Sequence, residues 1–153
     1  MRFPTAFVAC LAVVGMALVS APAWAADGLI VKASPHDPTE TLNRLEKILK
    51  SKGVTVFARI DHSAGAAKIG SSLQPTEVLI FGNPKLGTPL MQGTRTIGID
   101  LPLKALAWQD DKGSWIAYND PKWLAKRHGN KVEKVIAKMS GILDKLTTAA
   151  TQK

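Results

Sequence analysis

The stretch Val54-Thr55-Val56-Phe57-Ala58-Arg59-Ile60-Asp61 decides the fold. Val54, Val56, Ala58 and Ile60 alternate with Thr55, Phe57, Arg59 and Asp61, and a period of two is that of a strand, whose successive side chains point to opposite faces. The strand ends at His62, and Ser63 to Ile69, small and rich in Ala and Gly, suits a short helical turn packed closely on its neighbours. Upstream, Asp37 as N-cap, Pro38 at the first helical position and Glu40 three residues after the cap mark a helix start. A carboxylate there accepts from amides that have no partner within the first turn. Leu42, Leu45, Ile48 and Leu49 then share one helical face, and Gly53 supplies the left-handed position that ends it. Before this helix, Leu29 to Ala33 reads as a short strand stopped by Ser34-Pro35.

Downstream, Val78-Leu79-Ile80-Phe81 is apolar without alternation, which predicts a central strand buried on both sides, cut off by Gly82-Asn83-Pro84. Asn83 to Pro102 reads as an irregular connection of roughly 20 residues. Connections beyond about 12 to 15 residues are uncommon in compact domains and are often functional, so this one is expected to wall a site. Leu103 to Gln109 and Trp115 to Asn119 read as a hairpin around Asp110-Asp111-Lys112-Gly113, with Trp108 and Trp115 flanking the turn to pair across it or to cover an interface. Asp120-Pro121 repeats the cap-plus-proline signal and opens a short helix to His128, closed by Gly129, with Trp123 expected in the core. From about Lys131, the residues Val132, Val135, Ile136, Met139, Leu143 and Leu146 make one apolar stripe with lysines opposite. The order is a strand, a helix, four strands and a long terminal helix, an α+β arrangement.

A chain of 153 residues that is 46% apolar and 21% charged is enough for one domain with a real core. Its long apolar run, Ala6 to Ala23, follows Arg2 and ends in Ala23-Trp24-Ala25, the parts of a secretory signal peptide. The cut is expected between Ala25 and Ala26, leaving a single domain over 26–153 with its core at about 28–148, in the periplasm or outside the cell. A retained N-terminal anchor helix is the alternative; after cleavage no stable membrane anchor is expected. Cys10 lies inside the apolar run, so the mature domain has no thiol for a disulfide, catalysis or metal binding. The formal charge is +8. Its bias is C-terminal: Lys122, Lys126, Arg127, Lys131, Lys134, Lys138, Lys145 and Lys153 stand against Glu133 and Asp144. An exported protein rarely meets nucleic acid, so no nucleic-acid partner is expected, and a solvated basic face is the plain reading. Attraction to anionic head groups or an acidic partner is the functional one.

No G-x-S-x-G elbow, H-E-x-x-H pair, G-x-x-x-x-G-K-S/T loop or C-x-x-C occurs, and the prolines around Gly82 to Thr88 argue against a phosphate cradle. His36 and His128 lie at helix ends, where capping and dipole roles are more plausible than ligation. What remains is a block of spaced signatures. Arg59-Ile60-Asp61-His62 is followed by Pro75-Thr76-Glu77, Phe81-Gly82-Asn83-Pro84, Thr88-Pro89-Leu90-Met91-Gln92, Asp100-Leu101-Pro102 and Tyr118-Asn119-Asp120.

This order and spacing resembles the DUF302 family of small bacterial domains, which has no agreed activity. The resemblance implies a TBP-like β-α-β4-α layer, an antiparallel sheet covered by helices, and homodimers. It also marks Asp61, His62, Glu77, Asn83, Asp100, Tyr118 and Asn119 as candidate ligand-binding residues. Several are expected to converge at one rim of the sheet. An imidazole beside a carboxylate serves proton transfer or metal ligation, and His62 with the Met91 thioether could take Cu(I) or haem iron. The bland alternatives are that His62 caps a strand end, Met91 fills a gap, and Asn83-Pro84 and Asp100-Leu101-Pro102 are loop architecture. The reading is an exported small binding module of unknown ligand, homodimeric, with its ligand between the rim of Asp61, His62 and Glu77 and the stretch from Asn83 to Pro102. A metal- or haem-handling redox accessory protein and an acid-base enzyme using His62 with Glu77 or Tyr118 are the alternatives.

The intact mass of the exported product should correspond to a chain beginning at Ala26. Recovery of unprocessed chain from the membrane fraction would sink the cleavage expectation.

Overall fold

The computed structural model describes residues 26–153; the expected signal peptide, its cleavage boundary and Cys10 lie outside the described residues on the N-terminal side. Five strands, β1 (Leu29–Ser34), β2 (Thr55–Asp61), β3 (Thr76–Gly82), β4 (Leu103–Asp110) and β5 (Gly113–Asn119), form one sheet in the order β1-β5-β4-β3-β2. Every neighbouring pair is antiparallel. The helices are α1 (Pro38–Ser51), α2 (His62–Lys68), α3 (Pro84–Gly93), α4 (Pro121–Arg127) and α5 (Glu133–Ala150), with a 3-10 helix at Arg95–Ile99.

Helix α1 starts where the sequence places it, because the Asp37 side chain accepts from the Glu40 N–H at 2.8 Å and Pro38 occupies the first turn. Its Leu42, Leu45 and Leu49 are fully buried and meet Leu79, Phe81, Ala105, Ala107, Ile116 and Tyr118 from the sheet. Ile136, Met139, Leu143 and Leu146 of α5 join the same cluster, so α1 and α5 together cover one face of the sheet. Burying aliphatic side chains of this size is worth about 1.5–3 kcal/mol each, which makes this layer the main source of stability.

The strand β3 departs from expectation. Its residues alternate: Glu77, Leu79 and Phe81 are buried under the helices, while Val78 and Ile80 are half-buried on the other side. The register aligns Val31, Ala117, Leu106, Val78 and Ile60 in one row across all five strands on that second face, outside the core cluster. The run looked doubly buried because both faces are apolar, although the helices cover one of them.

The stretch from Asn83 to Pro102 also differs from the irregular loop expected. Asn83 caps α3 by accepting from the Lys85 N–H at 2.9 Å, Pro84 takes the first turn, and Pro89 lies inside the helix. The cap-plus-proline signal of Asp37-Pro38 and Asp120-Pro121 is therefore present a third time, obscured by Gly87, Pro89 and Gly93. Trp108 and Trp115 stack across the hairpin, with ring centres 6.5 Å apart. Trp123 is half-buried rather than fully internal, its ring lying over Gly28.

Gly28 has φ +82°, and a Cβ built there would sit 2.2 Å from the Trp123 ring. Gly28→Ala should therefore cost about 1–3 kcal/mol through overpacking, read as a lower midpoint in urea unfolding. An unchanged midpoint would show that the start of β1 does not hold α4.

Candidate functional site

Glu77, the second residue of β3, lies on the helix-covered face and is 8% exposed, which requires partners for its charge. Arg59 on β2 donates from Nε to Glu77 Oε2 at 2.6 Å, and the Thr39 hydroxyl of α1 donates to Oε1. The same guanidinium donates to Asn43 Oδ1 at 2.6 Å and to the Thr39 carbonyl at 2.9 Å. Both carboxylate oxygens are thus engaged in fastening α1 to β2 and β3. Arg59, the first residue of the Arg59-Ile60-Asp61-His62 signature, is the member the candidate set lacked.

Asp61, opposite Glu77 in the register, ends β2 and caps α2, accepting from the Ala64 N–H at 2.9 Å. That amide, with contributions from Ser63, holds its carboxyl below the usual carboxylate range. His62, the first residue of α2, is exposed. Asp61 is turned to the α2 amides rather than hydrogen-bonded to the adjacent imidazole, whose charge adds only a small further lowering.

At the far end of β3, Gly82, Asn83, Pro84, Leu86, Gly87, Thr88 and Met91 meet Leu101, Pro102 and Leu103 around a cavity of about 260 Å³. Met139 of α5 reaches it from the core and Phe57 of β2 stands at its mouth, 57% exposed. The register between β2 and β3 shifts between Val56 and Ala58, leaving Phe57 as the extra residue of a bulge; bulges re-aim side chains in this way. The wall is apolar except for Asn83, Thr88 and backbone groups, a lining suited to an apolar or amphipathic ligand.

Asp100 follows the 3-10 helix. Its Oδ2 lies 2.6 Å from His128 Nε2, and its Oδ1 accepts from Arg127 at 3.2 Å. The other ring nitrogen of His128 lies 3.1 Å from the Thr96 hydroxyl. This hydroxyl–imidazole–carboxylate chain ties the end of α4 to the segment before β4, so His128 does more than cap a helix. Arg127 also lies over the Trp123 ring at 5.7 Å. His36 likewise reaches beyond its helix end, with Nε2 2.8 Å from the Gln152 carbonyl oxygen.

Tyr118 is buried beneath the helices in the row of Ile30, Ala105, Leu79 and Arg59. Burial, then the carboxylate of Asp144, pushes its phenol up. Asn119 is exposed at the end of β5, opposite Leu29.

The seven candidates therefore do not converge on one rim. Asp61, His62 and Glu77 stand at one end of β3 and Asn83 at the other, and a strand of that length spans about 20 Å. His62 and Met91 are separated in the same way and cannot share one metal ion. The acid-base pairing fails as well, since Glu77 is held by Arg59 and Thr39, Tyr118 lies under the helices, and His62 faces solvent. Among the described residues no group of three or more His, Cys, Asp or Glu is placed to hold a metal ion. Asn83 remains on the cavity, with Asp100 just before its Leu101-Pro102 wall.

Residues 30–146 match the family described as "Domain of unknown function DUF302". The chain belongs to the DUF302 family. The crystal structure of an uncharacterized conserved DUF302 protein from Bacillus stearothermophilus superposes with a TM-score of 0.67, at 20% identity, covering 82% of this chain and 97% of that one. The two share the fold. Among curated proteins, the DUF302 chain is 54% identical over 102 residues to "Fluoride-specific ion channel FluC 1" of Brucella suis biovar 1 (strain 1330), a match covering 66% of this chain and 40% of the relative. The same identity and length hold for "Fluoride-specific ion channel FluC 1" of Brucella abortus biovar 1 (strain 9-941), where 38% of the relative is covered. This chain thus spans about two fifths of those relatives. No helix among the described residues is long and apolar enough to cross a membrane.

Arg59→Leu should leave the Glu77 carboxylate in a largely dry site and lower stability by about 2–3 kcal/mol in chemical denaturation. Adding Glu77→Leu should recover part of that loss. If the double variant is as unstable as the sum of both single changes, the clamp is not a coupled unit.

Proposed function

We propose that this DUF302 chain is an exported homodimeric binding module of the periplasm, holding a small apolar or amphipathic molecule in the cavity between α3 and the α3 end of the sheet. The observation that carries the reading is the cavity itself. A bulge aims Phe57 across its mouth, Met91 on α3 stands exposed nearby, and Asn83 and Thr88 are the polar side chains in an otherwise apolar wall. A site of about 260 Å³ suits a single ring or a short acyl chain rather than a nucleotide or haem. The ligand is then oriented by few polar contacts and held by burial. Dimerisation is favoured by the partly exposed apolar row of Val31, Leu106, Val78 and Ile60, which a second copy would cover.

A second reading draws on the names of the Brucella relatives: an accessory domain working beside a fluoride-specific channel. With no helix among the described residues long enough to span a bilayer, this domain would serve the channel without supplying a pore helix of its own.

Native mass spectrometry of protein released from the periplasm separates these outcomes. The expected result is a dimer carrying a small organic molecule. Gly87→Leu, whose Cβ would sit 3.7 Å from Leu101 and whose remaining atoms enter the cavity, should lose that molecule while keeping the dimer. A ligand-free monomer from the native compartment would refute the reading.

A further inference from the structure

The outer face of α5 carries a line of lysines that nothing in the fold uses. At 3.6 residues per turn, Lys134, Lys138 and Lys145 fall within about 40° of one another, opposite the buried stripe of Ile136, Met139, Leu143 and Leu146. All three are exposed, and among the described residues none makes an ion pair. The acid nearest in sequence to Lys145 is engaged elsewhere: Asp144, on the flank of the helix, pairs with Lys32 of β1 at 2.8 Å. Lys126 on α4 and Lys131 in the α4–α5 connection add two exposed, unpaired cations towards the start of α5. Between the lysines the helix surface holds small residues, with Gly141 bordered by open space.

We propose that this face of α5 docks on an anionic phospholipid surface, with Lys134, Lys138 and Lys145 at the head groups. Three features select this partner. The cations lie along one helix face over roughly 16 Å, a line that meets a plane more readily than it encloses a single anion. They are all lysine, a compact point charge suited to diffuse phosphate density rather than bidentate recognition. No aromatic side chain lies on the outer face of α5, so it offers no platform for base stacking, the usual companion of a basic groove for single-stranded nucleic acid. Surface-bound lysines contribute roughly a fivefold gain in partitioning each, lost over a Debye length as salt rises. The inference rests on charge placement and is independent of the cavity's ligand.

The test uses the chain from Ala26, which contains every residue of the core cluster, sedimented with vesicles of phosphatidylglycerol and phosphatidylcholine at low and high salt. Binding to the anionic vesicles should appear at low salt, fade at high salt and be absent with pure phosphatidylcholine. The triple variant Lys134→Gln, Lys138→Gln, Lys145→Gln should bind about a hundredfold more weakly with its thermal midpoint unchanged. Lys47→Gln, Lys52→Gln, Lys68→Gln removes the same charge from other exposed sites and should bind like the parent. Equal losses in the two triple variants would mean that net charge, not this face, drives binding. That result overturns the proposal, as would no binding to anionic vesicles or preferential binding to single-stranded DNA over them.

Discussion

The Arg59 guanidinium is the contact on which the arrangement of this domain depends. β2 is an edge strand with one strand neighbour and a bulge in its middle, so its backbone pairing alone fixes it weakly. Arg59 adds two independent attachments, to the Glu77 carboxylate of β3 and to Thr39 and Asn43 on α1. Those contacts set the angle at which α1 lies on the sheet. They therefore also set where Leu42, Leu45 and Leu49 enter the core. The same strand presents Phe57 at one end and Asp61 at the other, so the cavity mouth and the α2 cap both inherit their positions from it.

How much of this was legible in the sequence depended on whether the signal was local. Asp37-Pro38 and Asp120-Pro121 announce helices because a cap bonds within its own first turn, and both helices begin there. Asn83-Pro84 carries the same signal, yet Pro89 and two glycines inside the following helix lowered its apparent propensity and made it read as a loop. In Val78 to Phe81, composition reports that both sides are apolar but not what lies against each side. The family pattern marked Glu77 and Asp100 as candidate ligand-binding positions, and both are engaged within the fold. Their partners are Arg59 and His128, reached across the fold, and no spacing rule connects Asp100 to a histidine on another helix.

The cavity follows from departures from regular geometry. A straight β2 would place Phe57 in the ladder, and an unbroken connection after β3 would leave no helix to wall the space. The Phe57 ring and Pro102 close over Gly82, where a Cβ would lie in ordinary contact at 3.4 Å from each. The polar clamp and the apolar cavity thus occupy opposite ends of β3 and do not compete for the same side chains. Residues conspicuous for their chemistry hold the scaffold at one end, while residues with little chemistry of their own shape the space at the other.

The pairing of β1 with β5 has a kinetic consequence. Leu29 lies opposite Asn119, so the first strand among the described residues meets its partner only after β2, β3 and β4 have been made. Contacts this distant in sequence close long loops, and topologies rich in them fold slowly. Until β5 arrives, β1 has no ladder to join, and β5 itself carries an open edge. The β4–β5 hairpin, closed by a short turn with its two stacked indoles, is the natural early unit. Completion of the sheet then waits on the pairing of the opening residues of the described chain, and the layer of α1 on α5 closes a longer loop still, since Arg44 meets the Ala150 carbonyl at the far end of α5.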